Sequence, residues 1–225
     1  IMKKIILAAV LAMFASVTAY AGPGINIGVS GQIGLFEGTA SELDKGTHGT
    51  TSGTNETNKE TESNAVGYNS VFIEKTLGSR AFVGFDYVPS ALESETADAD
   101  RLDMTTSNAK TKKVNKVQVD FKDLSTFYLG LNINENFYVK AGLTSVDIIT
   151  NETLATGSNY GNTDMDGHSF GVGYNNSFDN GLFVRVEGNY MEFDGASITS
   201  DTGVNKITLD KLEGVTGKVS LGKSF

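Results

Sequence analysis

Three carboxylates, Glu74, Asp86 and Glu187, and three cations, Lys140, Arg185 and Lys218, are the residues whose types and spacing most readily do chemistry. Each falls on the polar face of a segment whose residues alternate between apolar and polar. Each also lies about four to seven residues from a short turn or the chain end, which on tilted strands sets all six in one layer. Charges taken out of water are costly unless paired. Equal numbers of opposite sign at one level can neutralise and hydrogen-bond one another, making a plug of ion pairs. The alternative is a charged constriction, or gate, in a narrow pore.

Other chemistry is poorly supported. The only histidines are His48 and His168. His168 and Ser169, beside Asp164 and Asp166, have the residue types of a hydrolytic dyad or triad. Neighbours on a strand point to opposite faces, however, so His168 and Ser169 do not meet as base and nucleophile. No catalytic role is expected. The run Glu93, Glu95, Asp98, Asp100 and Asp103 is rich in oxygen but lacks a calcium-ligand pattern, and reads as a solvated loop. No glycine loop of the phosphate-binding kind is present, and neither a metal nor a cofactor is implied. The absence of cysteine rules out a disulfide framework.

The elements that must hold the six charges follow from the alternation. Lys3 and Lys4 precede an apolar run from Ile5 to about Val17 and the triplet Ala19-Tyr20-Ala21, the pattern of a secretory signal peptide cleaved after Ala21. Ile1, ahead of Met2, is given no meaning. The remaining chain, from Gly22 to Phe225, is long enough for one domain. Losing Lys3 and Lys4 takes the formal charge from −9 to about −11, which makes nucleic acid a poor partner. No later apolar run approaches the ~20 residues of a transmembrane helix.

Eight strands are predicted: Gly24–Phe36, Val66–Thr76, Ala81–Val88, Val114–Ile133, Phe137–Val146, Gly167–Asn176, Leu182–Phe193 and about Asn205–Phe225. In the fourth, Val117, Val119, Phe121, Phe127, Leu129 and Leu131 share one parity, and all are expected outward. In the eighth, Ile207, Leu209, Val215, Val219, Leu221 and Phe225 do the same. Short links near Leu77–Arg80, Asn134–Asn136 and Phe178–Gly181 alternate with long ones near Glu37–Ala65, Pro89–Lys113, Ile149–Asp166 and Asp194–Val204. That alternation, with an even strand number, predicts an all-β, antiparallel up-and-down transmembrane barrel with four long extracellular loops. Splitting the fourth strand at Lys122–Ser125 would give ten strands but spoil the alternation. The first long link, rich in Thr, Gly, Ser, Asn and Glu, cannot bury enough apolar surface to order itself and is expected to be mobile. An aromatic belt is expected from Phe36, Tyr87, Phe137, Tyr174, Tyr190 and Phe225. The upper parts of the fourth and eighth strands outrun the membrane; they either extend the barrel wall above the headgroups or offer sheet edges to a partner.

The signal segment, the alternation and the ending Val219-Ser220-Leu221-Gly222-Lys223-Ser224-Phe225 together resemble the small eight-stranded outer-membrane barrels of the OmpA/OmpX type. The resemblance covers the chain from Gly22 onward as a pattern. Phe225, with Val219 and Leu221 at alternating positions, resembles the signal read by the barrel-assembly machinery; Lys223 departs from it. The resemblance implies residence in the outer membrane of a Gram-negative-type bacterium, among its lipids. It also implies a structural or surface-interaction role, such as adhesion or envelope integrity, with an extracellular protein as partner. The competing class is transport through a narrow pore. A secreted soluble β-sandwich would need a core from one face of each strand, and the loop alternation argues against it.

Overall fold

The computed structural model describes residues 24–48, 51–94, 96–104, 110–153, 159–201 and 206–225. The expected signal peptide and its Ala21 cleavage site lie outside the described residues. Eleven strands follow in chain order: β1 (Ile25–His48), β2 (Thr51–Leu77), β3 (Ala81–Tyr87), β4 (Leu92–Glu93), β5 (Ala97–Met104), β6 (Lys110–Asn132), β7 (Phe137–Thr153), β8 (Thr163–Ser177), β9 (Leu182–Phe193), β10 (Ala196–Thr199) and β11 (Lys206–Ser224). Eight of them pair antiparallel in the ring β1-β2-β3-β6-β7-β8-β9-β11. β11 then returns to β1, from Asn26 opposite Ser224 up to Leu43 opposite Lys206, and closes the barrel. Closure removes the sheet edges that an open structure would leave unpaired. The barrel has eight staves, not ten, because β6 runs unbroken past Lys122–Ser125.

Alternation sorts the side chains. On β9 the exposure switches at every residue, with Phe183, Arg185, Glu187, Asn189 and Met191 buried inside and Leu182, Val184 and Val186 outside. Ile33, Val172 and Phe225 are 62–69% exposed on the outer wall, among many similarly placed apolar residues. Seven to about ten residues of each stave carry this apolar surface; at ~3.4 Å per residue and ~40° tilt the longer stretches form a band ~25 Å tall. Such a belt fits hydrocarbon and would be unstable in water. It ends at one rim in tight turns. Gly78 (φ 67°) and Gly181 (φ 80°) take left-handed backbone in two of them. In the third, the Asn134 side chain accepts hydrogen bonds from the Asn136 and Phe137 N–H groups at 2.9 and 2.8 Å.

At the opposite rim the structure departs from the sequence expectation in four ways. First, the Glu37–Ala65 link is not irregular. β1 and β2 stay paired to His48 opposite Thr51, with cross-strand contacts such as Thr39 to Thr61 at 2.9 Å. The ladder grows from a finished barrel, so it needs no core of its own, and its many threonines favour strand. The Pro89–Lys113 link likewise contains β4 and β5, both paired to β6.

Second, the upper edges of β6 and β11 are not free. β6 is flanked by β4, β5 and β7, and β11 by β1 and β10. Among the described residues β2 has an edge without a ladder above Val71, since it pairs with β3 only over Val71–Leu77. Among the described residues no ladder joins β2 to β4 or β5, which leaves a side gap in the upper wall. Third, Phe36 faces inward, where its ring lies against Gly34 and Gly214, so it takes no part in an aromatic belt.

Fourth, two bulges invert the parity of the upper strands. The β6–β7 register shifts between Lys122 and Ser125, and the β1–β11 register shifts at Thr39/Ala40, where Asp210 is the extra residue. Val119, Phe121 and Leu209 therefore pack against the interior instead of facing out. Asp123 makes the first bulge at φ 54°, with its carboxylate accepting a 2.7 Å hydrogen bond from the Tyr87 hydroxyl. Aspartate tolerates left-handed backbone; a β-branched residue does not. Replacing Asp123 with Val should cost about 1–2 kcal/mol and Asp123→Asn much less, read as urea midpoints of the refolded barrel.

Candidate functional site

All six charged residues singled out above face the lumen, where the staves bring them together. Glu74 on β2 receives Arg185 of β9 in a two-pronged pair, Nη1 to Oε1 at 2.5 Å and Nη2 to Oε2 at 2.8 Å. The Tyr128 hydroxyl and the Asn26 amide donate to the same carboxylate at 2.8 and 3.0 Å. Glu187 accepts from Lys140 at 2.7 Å and from the Tyr138 hydroxyl at 2.6 Å. Lys218 pairs with Asp86 and lies 3.8 Å from Glu187, linking Asp86 to the Lys140–Glu187 pair. Three acids meet three bases, so the cluster carries no net charge. Glu74 is only 2% exposed, and charges so deeply buried persist because each carboxylate has a cation, with hydroxyl or amide donors added at Glu74 and Glu187.

Aromatic rings fill the space between the pairs. The Arg185 guanidinium lies 4.5 Å from the Phe183 ring centroid and 5.4 Å from that of Tyr138, distances that add cation–π attraction. Phe82 meets Tyr138 edge-on at 5.4 Å. The rings fit because a glycine stands opposite each. A Cβ added at Gly130 would come within 2.0 Å of Phe82, one at Gly173 within 2.3 Å of Tyr138, and one at Gly222 within 2.2 Å of Phe183. The sequence shows these glycines as single residues in strands; pairing each with a ring needs the cross-strand register.

Next toward the long-connection rim comes a layer of small polar groups, including Gln32 bonded to Ser70 at 2.9 Å and Thr126 to Thr144 at 3.2 Å. Beyond it the interior turns apolar. Tyr68, Val146, Ile148, Met165, Met191 and Phe193 form a buried cluster. Over this floor lies a cavity of about 320 Å³, walled by Val119, Phe121, Leu124, Leu209 and Leu212. Its side toward the gap is lined by Glu60, Glu62 and Val66 of β2 and by Leu92 and Glu93 of β4. Sequence reasoning missed this cup because the two bulges turn three of its wall residues, Val119, Phe121 and Leu209, from the outer face to the inner one. The polar residues Lys122, Asp123 and Ser125, interrupting an apolar strand, are the one signal that could have marked the first bulge.

The remaining candidates stay apart. His168 is exposed on the outer face while Ser169 is buried on the inner one. Val219, Leu221 and Phe225 all face outward, and Phe225 N–H donates to Ile25 at 2.9 Å in the closing ladder. β5 sets Asp98 opposite Lys116 and Asp103 opposite Thr111. On the rim, burial lifts the Glu152 carboxyl above its ordinary range against the hydrogen bond it accepts from the Tyr160 N–H, and Asp201 lifts it further.

The closed ring, the ~25 Å apolar belt and the polar lumen settle the class. The chain is a small membrane-spanning β-barrel. No family model and no curated protein matches it. Among solved structures it is similar to the outer membrane protein OprG from Pseudomonas aeruginosa, at 12% identity over 90% of this chain and 96% of that one, with a TM-score of 0.47. It is also similar to the outer membrane protease OmpT from Escherichia coli, at 11% identity over 92% and 100%, TM-score 0.46. A third similar structure is Ail, the attachment invasion locus protein of Yersinia pestis, at 11% identity over 87% and 99%, TM-score 0.40. Likeness this distant speaks to neither activity nor ligand, and the fold rests on the chain's own strand ladder.

Proposed function

We propose that this chain is an integral outer-membrane barrel whose lumen is closed and whose work is done at its long-connection rim, as a surface-interaction or structural protein. The observation that carries the reading is the neutral cluster of Glu74, Asp86, Lys140, Arg185, Glu187 and Lys218, wedged among Phe72, Phe82, Tyr128, Tyr138 and Phe183. An eight-stranded barrel has room for little beyond its own side chains. A gate would need cations or carboxylates left over to attract passing ions, and here each of the six has a partner. The cluster therefore acts as a plug.

The rim has the features of a contact surface. The β1–β2 ribbon continues well beyond the apolar belt, and Glu60, Thr61, Glu62 and Ser63 of β2 are exposed. The partner expected there is an extracellular protein, and the assembly contact expected at the other end is the outward Val219, Leu221 and Phe225. Replacing residues 39–61 by a two-residue turn tests the reading, since the barrel below keeps all its pairs. The expected result is normal membrane assembly with reduced attachment of cells to a protein-coated surface. Unchanged attachment together with unchanged envelope permeability would count against any role for the rim. Protease added to intact cells should cut the long connections and spare the turns at 78–80 and 178–181; the reverse pattern would invert the assigned orientation.

A further inference from the structure

We infer that the cup above the plug is a binding site for a small, uncharged, apolar molecule, entered from the long-connection side. Three independent observations converge on it. The first is size and lining. At about 320 Å³ the cavity is roughly twice the volume of an engineered apolar cavity that stays dry and takes up benzene. Its floor is Val146 and Phe193 of the buried cluster, and its walls away from the gap are aliphatic and aromatic. Water gains little there, so an apolar solute displaces it favourably.

The second observation is construction. The wall residues Val119, Phe121 and Leu209 face the cavity only because bulges at Asp123–Leu124 and Asp210 reverse their strands. Without the bulges they would lie on the outer surface. Bulges that re-aim side chains are characteristic of barrel rims and of sites. The third observation is access and charge. The cavity touches both banks of the side gap, β2 and β4, so it is not sealed. The polar residues on those banks include Glu60, Glu62 and Glu93. Three carboxylates at the entrance repel fatty-acid carboxylates and lipid phosphates, and select for neutral solutes. The plug below closes the way onward through the lumen, so the cup ends blind at its floor.

The chain has no tryptophan, which makes a single reporter possible. A Phe193→Trp barrel is refolded into dimyristoylphosphatidylcholine nanodiscs, and bromobenzene, a heavy-atom quencher, is titrated from the aqueous side. A Phe170→Trp barrel, with its reporter on the lipid-facing wall, is the control. The expected result is saturable quenching at residue 193, relieved by toluene and not by dodecanoate, against linear quenching at residue 170. Leu209→Phe, which fills the cavity without adding charge, should abolish the saturable phase. Val119→Asp should weaken half-saturation about tenfold or more, because it aims a charge into the apolar site. Heat-dependent gel mobility identifies any variant that fails to fold. Linear quenching at both reporters would overturn the inference. So would strong quenching of residue 193 in nanodiscs made with brominated acyl chains, which would assign the cup to lipid, or competition by dodecanoate equal to that by toluene.

Discussion

Arg185→Ala is expected to destabilise the refolded barrel by about 3–5 kcal/mol, the loss typical of a buried charge stripped of its partner. The guanidinium occupies both oxygens of Glu74, donates to the Asn175 side chain at 3.0 Å and fills the space between Phe183, Phe72 and Tyr138. Its removal leaves the Glu74 carboxylate, 2% exposed, with only the Tyr128 and Asn26 donors. The paired change Glu74→Gln with Arg185→Met removes both charges and keeps the volume, and should cost clearly less than Arg185→Ala alone. Urea midpoints followed by far-UV circular dichroism and by heat-dependent gel mobility read both variants. A double variant whose loss equals the sum of the losses from Glu74→Gln alone and Arg185→Met alone would show that the charges do not act as a buried pair.

Gly130→Ala should be strongly damaging for so small a change in the lumen, with an expected loss of about 1–3 kcal/mol from overpacking. The added methyl would sit 2.0 Å from Phe82 Cζ and 2.4 Å from both neighbouring ring carbons, so the ring must move. Phe82 has nowhere to go without parting from Tyr138 and Tyr128, which it meets edge-on. Gly188→Ala is the matched control: its position faces outward, with nothing within 4 Å of an added Cβ. That change should be neutral or stabilise by about 0.4–1 kcal/mol through the unfolded chain. Adding Phe82→Leu to Gly130→Ala should recover part of the loss. Equal behaviour of the two alanine variants would mean that ring-on-glycine packing does not fill the lumen.

What could be read from the sequence depended on where strand parity survives. On β9 it runs unbroken, so Arg185 and Glu187 were legible as inward residues from Leu182, Val184 and Val186 alone. Asp86, Lys140 and Lys218 lie on similarly regular stretches, and Glu74 follows once Val71 and Ile73 are taken as outward. The pairing among the six was not legible, because partners such as Asp86 and Lys218 sit far apart in the chain and meet only through ring closure. Val119, Phe121 and Leu209 were misplaced for a sharper reason. One inserted residue flips every side chain beyond it, and neither Asp123 nor Asp210 differs in type from an ordinary exposed aspartate. The 37–65 segment was misjudged because composition measures what a segment can bury by itself. A ribbon templated by a finished barrel has no such requirement.

Planar-bilayer conductance of the refolded barrel (residues 22–225), with insertion verified by protease protection, tests the central claim most directly. A neutral cluster tied into Phe72, Phe82, Tyr138 and Phe183 leaves no aqueous path, so the membrane should stay silent at low and high salt. Stable, reproducible conductance steps from the unmodified barrel would contradict the account and make the same six residues the lining of a pore.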